Sequence, residues 1–140
     1  MIVTNGNVAD YDVICAKIGE ISHVCPIDKI ATDSWNATST MITLGNMGFT
    51  VVPFSQSIGH FNSPTKSMER IIREGKAVID KSQNILWQFG NVELKIDHNM
   101  NCKPDKSNYK KKIDSTISMI SALGIYEEQN AYTDFEIVSV

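Results

Sequence analysis

Two aspartates and a run of lysines are the residues in this 140-residue chain whose types and surroundings could do chemistry. Asp33 stands in "IATDSWNAT", where the β-branched segment 27–32 stops on a carboxylate before a stretch with helical spacing begins. Asp114 stands in "KKIDST", on the flank of an apolar stripe that opens at Ile113. Just upstream, "KPDKSNYKKK" carries Lys103, Lys106, Lys110, Lys111 and Lys112 against the single acid Asp105. Carboxylate oxygens are hard donors, and two or three acids that converge hold Mg2+ or Mn2+. Lysines alongside would bind phosphates; a local basic stripe can follow a phosphate backbone even on a chain of net charge −3. The same residues also fit ordinary roles. An Asp at a strand end caps a helix or makes a turn, an Asp early in a helix complements the dipole, and clustered lysines suit a solvated helix start.

Other chemistries find no support. The sequence holds no G-x-x-x-x-G-K-[ST], no G-x-G-x-x-G and no G-x-S-x-G, which removes P-loop, dinucleotide and hydrolase-elbow readings. Cys15, Cys25 and Cys102 are odd in number and form no C-x-x-C pair, so free thiols are expected rather than a disulfide framework. His23, His60 and His98 show no zinc-ligand spacing. Apolar residues make up 42% and charged residues 21%, a globular balance. No apolar run approaches the roughly 18 residues that span a bilayer, and the start lacks the basic and apolar regions of a signal peptide, so a cytoplasmic location is expected.

The elements that must position these residues follow from periodicity. Ile14, Ile18 and Ile21 predict a helix over 9–25 with those side chains as its buried stripe. A strand over 27–32 follows, then a helix over 37–47 with Met41, Leu44 and Met47 on one face and Gly48 as its cap, then a strand over 49–54. "SQSIGHFN" reads as a loop, and Ser63 before Pro64 reads as the start of a helix that runs to Gly75. "ILWQFG" reads as mixed or extended, with Trp87 and Phe89 packed in the core, and 91–96 as a strand ending at a turn around Asp97 and His98. A last helix is expected from Ser107 or Asn108, striped by Ile113, Ile117 and Ile120 and ended by Gly124. Strands alternating with helices of this length imply an α/β fold with an at least partly parallel sheet. Ligands of such sheets bind outside the carboxyl ends of the strands, where Asp33 falls.

The ordered blocks "IATDSWNAT", "GFTVVPFSQS", "SPTKSMERIIREGKA", "NILWQFGNVELK" and "KPDKSNYKKKIDSTISMISALG" resemble the C-terminal nuclease domain of the large terminase subunit of tailed phages and prophages. The resemblance runs from about Val3 to Gly124, giving a nuclease-like region over 1–124 and an acidic tail over 125–140. It implies a ribonuclease-H-like mixed sheet flanked by helices, and a two-metal centre that cuts viral DNA during packaging. Asp33 and Asp114 correspond by motif to two of the family's catalytic, metal-binding acids, with Trp35 and Ala37 helping to seat the helix after Asp33. Lys103, Lys106 and Lys110 are then the candidates for contact with double-stranded DNA. The family's first catalytic aspartate lies on a strand upstream of "TNGNV", which begins here at Thr4. An N-terminally truncated domain of weak or no activity is therefore expected, with Asp10 and Asp12 heading the first helix rather than replacing that acid. The resemblance further implies the portal protein and the small terminase subunit as partners. The rival reading is a non-catalytic module that binds DNA or docks on those partners through the lysine-rich segment.

Overall fold

The computed structural model describes residues 10–33, 38–79 and 81–133. The chain divides into two compact units, Met1–Pro53 and Phe54–Val140.

In the first unit, helix α1 (Tyr11–Ser22) opens on Asp10, whose Oδ1 accepts hydrogen bonds from the amides of Asp12 and Val13 at 3.1 and 3.2 Å. That is an N-cap satisfying donors the helix cannot. Strand β1 (Lys29–Thr32), helix α2 (Thr38–Asn46) and strand β2 (Thr50–Pro53) follow. The two strands pair in parallel, with Lys29 opposite Thr50 and Thr32 opposite Pro53. Parallel neighbours need a crossover, and α2 supplies it, packing on β2 and on α1. Gly48, at φ +91°, takes the left-handed turn after α2, as its position suggests.

The stripe expected on α1 is rotated by one residue. Cys15 is the buried position at 4% exposure, while Ile14 and Ile21 are exposed. The helix contacts α2, and at Gly19 an added Cβ would meet the Cε of Met47, just beyond that helix, at 3.1 Å. Leu44, 1% exposed, is the anchor of α2, and Met47 is exposed.

The second unit is built on α3 (Ile58–Arg73) and α5 (Asp114–Thr133), which pack on each other, with α4 (Gln83–Gly90) against α5 and strand β4 (Cys102–Pro104) against α3. Strand β3 (Leu94–Ile96) pairs antiparallel with β4, Lys95 facing Lys103. Ile113, Ile117 and Ile120 are buried as their spacing requires, alongside Phe54, Phe61 and Cys102. The architecture is mixed α/β, with one parallel and one antiparallel pair of strands among the described residues.

The strand expected over 91–96 is confined to Leu94–Ile96, and the helices of this unit differ more from the sequence reading. Helix α3 starts six residues before Pro64, at Ile58, because Ser57 caps it: the Ser57 hydroxyl accepts from the His60 amide and sits 2.8 Å from His60 Nδ1. Pro64 is buried within the helix, which forgoes one amide donor there. "QNILWQFG" is helical, capped by Ser82, whose hydroxyl accepts from the Ile85 amide, and Trp87 lies exposed on it. Helix α5 begins at Asp114, because Asp105 and Asn108 turn the preceding chain onto their own side chains. Asp105 accepts from the Ser107 amide and hydroxyl, each at 2.9 Å, and Asn108 Oδ1 accepts from the Lys110 amide at 3.1 Å. Helix α5 also passes through Gly124 and continues to Thr133.

The β3–β4 loop is held by one carboxylate. Asp97 Oδ1 accepts from the amides of Asn99 and Asn101, and Oδ2 from the Asn101 side chain, all at 2.9 Å. The Asn101 side-chain bond, then the two amides and the charge of Lys66, hold Asp97 below the ordinary carboxylate value of 3.8. A depressed folded pKa stabilises the loop above pH 3.8, and that contribution is lost as pH falls through the lower, folded value. The Asn99 and Asn101 amide resonances are therefore expected to titrate with a midpoint below 3.8, and Asp97→Asn should abolish the transition. A midpoint at or above 3.8 would contradict the hydrogen-bonded loop.

Candidate functional site

Asp33 is the first residue beyond β1, and its side chain is exposed. β1 is hydrogen-bonded in parallel to β2, so Asp33 stands at the carboxyl end of a parallel strand, where open α/β sheets place ligand-binding groups. Trp35 and Ala37, expected to seat the helix that follows, lie outside the described residues.

Asp114 is the first residue of α5 and is exposed, while the preceding Ile113 is 2% exposed. Ile113 pins the start of the helix into the core of the second unit, and the adjacent carboxylate is turned outward. The first turn is held from a distance: Gln88 Oε1 on α4 accepts from the amide and the hydroxyl of Ser115 at 2.8 and 2.9 Å. Orphan amides of the α5 N-terminus thus find a partner on another helix. Asp33 belongs to the first unit and Asp114 to the second. Both are hard oxygen donors, which in kind suits magnesium or manganese. Among the described residues no group of three or more His, Cys, Asp or Glu side chains is arranged to hold a metal ion. Asp10 and Asp12 serve the start of α1, and Asp97 serves its turn.

The lysines separate into two groups. Lys103, on β4, donates from Nζ to the backbone carbonyl of Gln56 at 2.9 Å, and Lys106 donates to Gln56 Oε1 at 3.3 Å. Lys110 lies elsewhere on the loop, its Nζ 5.8 Å from the centroid of the Tyr109 ring. Lys111 is paired with Glu93. Sequence reasoning missed Gln56 altogether, since its polar neighbours mark only a loop. It also missed a cleft of about 430 Å³ lined by Phe54, His60, Ser63, Gly124, Glu127 and Glu128, within which the Ser63 hydroxyl donates to Glu127 at 3.1 Å.

Comparison with known proteins places this geometry in context. A family model described as "Terminase large subunit, endonuclease domain" matches residues 2–130. The Escherichia coli K12 protein YmfN is 27% identical over 139 residues, covering 96% of this chain and 30% of YmfN. The chain therefore spans 30% of the length of that curated relative. Among solved structures, the HK97 bacteriophage large terminase superposes with a TM-score of 0.77 at 22% identity, over 86% of this chain and 26% of that one. The large terminase nuclease from thermophilic phage G20c gives a TM-score of 0.66 at 15% identity, over 84% and 63% of the two chains. At those identities the likeness is one of fold.

Proposed function

The chain belongs to the terminase large-subunit endonuclease-domain family, and from that premise we propose that it is a metal-dependent DNA endonuclease domain of a viral DNA-packaging machine. The observation that carries the proposal is the family match across residues 2–130, a span that contains both Asp33 and Asp114. The solved folds it resembles support a ribonuclease-H-like arrangement. In this reading Asp33 and Asp114 bind Mg2+ or Mn2+ in a two-metal centre. A divalent cation, when bound, supplies charge stabilisation to the reacting phosphodiester. The chain's own contribution is to present two exposed carboxylates at element ends and to hold phosphates with lysine ammonium groups. The packaging partners of this reading are the portal and the small terminase subunit.

The direct test is a crystal of this chain soaked in manganese, with the ion located by its anomalous signal. A peak coordinated by Asp33 or Asp114 is the expected result. Ions found only at other carboxylates would sink the assignment of the centre. The non-catalytic docking module would then be the better account.

The lysine assignment has its own readout. Replacing Lys103, Lys106 and Lys110 together by methionine is expected to weaken duplex binding without sequence preference. The salt slope should fall by up to about 0.9 for each phosphate that is no longer neutralised. Fluorescence anisotropy across a salt series measures both, and an unchanged slope would remove these residues from the DNA-binding face.

A further inference from the structure

Among the described residues, lysines in ion pairs meet carboxylates: Lys17 meets Glu20, Lys76 meets Glu74, and Lys111 meets Glu93. Each such pair cancels a charge. Lys103 and Lys106 are held differently, by two oxygens of one residue that carries no formal charge, the carbonyl and the side-chain amide of Gln56. A lysine ammonium has three donors, so one bond to Gln56 leaves the charge intact and further donors available. Asp105 lies within Coulombic reach of Lys103, but its carboxylate is turned to Ser107.

Gln56 is itself set in place. It lies two residues before α3, between Ser55 and the capping Ser57, and the Ser57 amide donates to Ser55 Oγ at 3.3 Å. β4 is tied to the same helix by the Cys102 amide, which donates to Asn62 Oδ1 at 3.0 Å. Two elements 40 residues apart are thereby locked together, and Gln56 sits where both lysines arrive.

We propose that Gln56 is a positioning residue for DNA binding, gathering the ammonium groups of Lys103 and Lys106 for neighbouring phosphates without neutralising them. The proposal rests on the reading of the Lys103–Lys106 segment as facing DNA. A lysine stem that is already ordered loses less rotamer freedom when it meets a phosphate, so the gain appears in affinity. Converting the amide to a carboxylate would leave the geometry and remove the charge, so the effect would appear in the salt slope.

The test is duplex-DNA anisotropy on the whole 140-residue chain, with folding checked by circular dichroism. Gln56→Met keeps the backbone carbonyl that serves Lys103 and deletes the acceptor of Lys106. It is expected to weaken binding roughly three- to tenfold, and to have no effect in a Lys106→Met background. Gln56→Glu is expected to lower the salt slope by about 0.9, one phosphate's worth, whereas a side chain remote from DNA-facing ammonium groups would leave the slope unchanged. If Lys103→Met and Lys106→Met each weaken binding while Gln56→Met does not, or its effect persists without Lys106, the positioning role is wrong and the DNA-facing surface stands. If the lysine variants bind DNA as the parent does, the surface itself is misassigned, and the role of Gln56 falls with it.

Discussion

Asp33→Asn and Asp114→Asn are each expected to reduce manganese-dependent nicking of supercoiled DNA by about 100-fold or more. The magnitude follows from the several kcal/mol of charge stabilisation that a catalytic cation supplies, at about 1.4 kcal/mol per tenfold in rate. Asparagine keeps the size and one oxygen of each side chain but removes the negative charge on which a hard divalent ion depends. Both positions are exposed and sit at element ends, so the fold should tolerate the change. A second readout reports on the metal without depending on turnover. Manganese affinity, followed by electron paramagnetic resonance, is expected to fall on the order of tenfold for each variant. Variants that nick and bind manganese as the parent does would exclude both carboxylates from the centre. Intact DNA binding with no manganese dependence at all would instead favour the non-catalytic module.

Gly124→Ala is expected to destabilise the second unit by about 1–3 kcal/mol, against the trend of helix propensity. Gly124 lies inside α5, where alanine alone would gain about 1 kcal/mol. An added Cβ, however, would lie 2.8 and 2.9 Å from Phe54 Cε2 and Cε1, and nearer still to Cζ. The ring is 3% exposed and leans on Phe61, with centroids 5.7 Å apart, and edge-on to His60 at 6.3 Å. It has little freedom to yield, and overpacking outweighs propensity. Urea denaturation of the single variant and of Gly124→Ala with Phe54→Leu separates the causes. The smaller side chain should recover much of the deficit as a favourable coupling between the two sites. A Gly124→Ala chain as stable as the parent would mean that Phe54 does not pack there.

The same glycine shows how far local pattern carries. A glycine after three isoleucines at i, i+4 and i+7 reads as a helix end, and only the Phe54 ring explains why a helix interior carries glycine there. The isoleucines were legible because one periodicity decides their burial. α1 was legible as a helix but not in its buried face, because Cys15 rather than Ile14 is buried, and no periodicity reports which neighbour a helix will have. β4 could not be read at all, since three residues become a strand only by pairing with β3.

What the amino-acid sequence determined by itself is the order of its main helices and of the parallel strands, the place of Asp33 at a strand's carboxyl end, and the burial of Ile113 with Asp114 on the flank of its stripe. Local spacing and turn chemistry suffice for these, because each depends on residues within a few positions of one another. The tertiary structure decided how the first turn of α5 is held, through Gln88 on α4 reaching Ser115, 27 residues away. It also decided which lysines converge. Lys103 and Lys106 meet Gln56 across 47 and 50 residues, and a hydrogen bond between such distant groups exists only once α3 and β4 have packed.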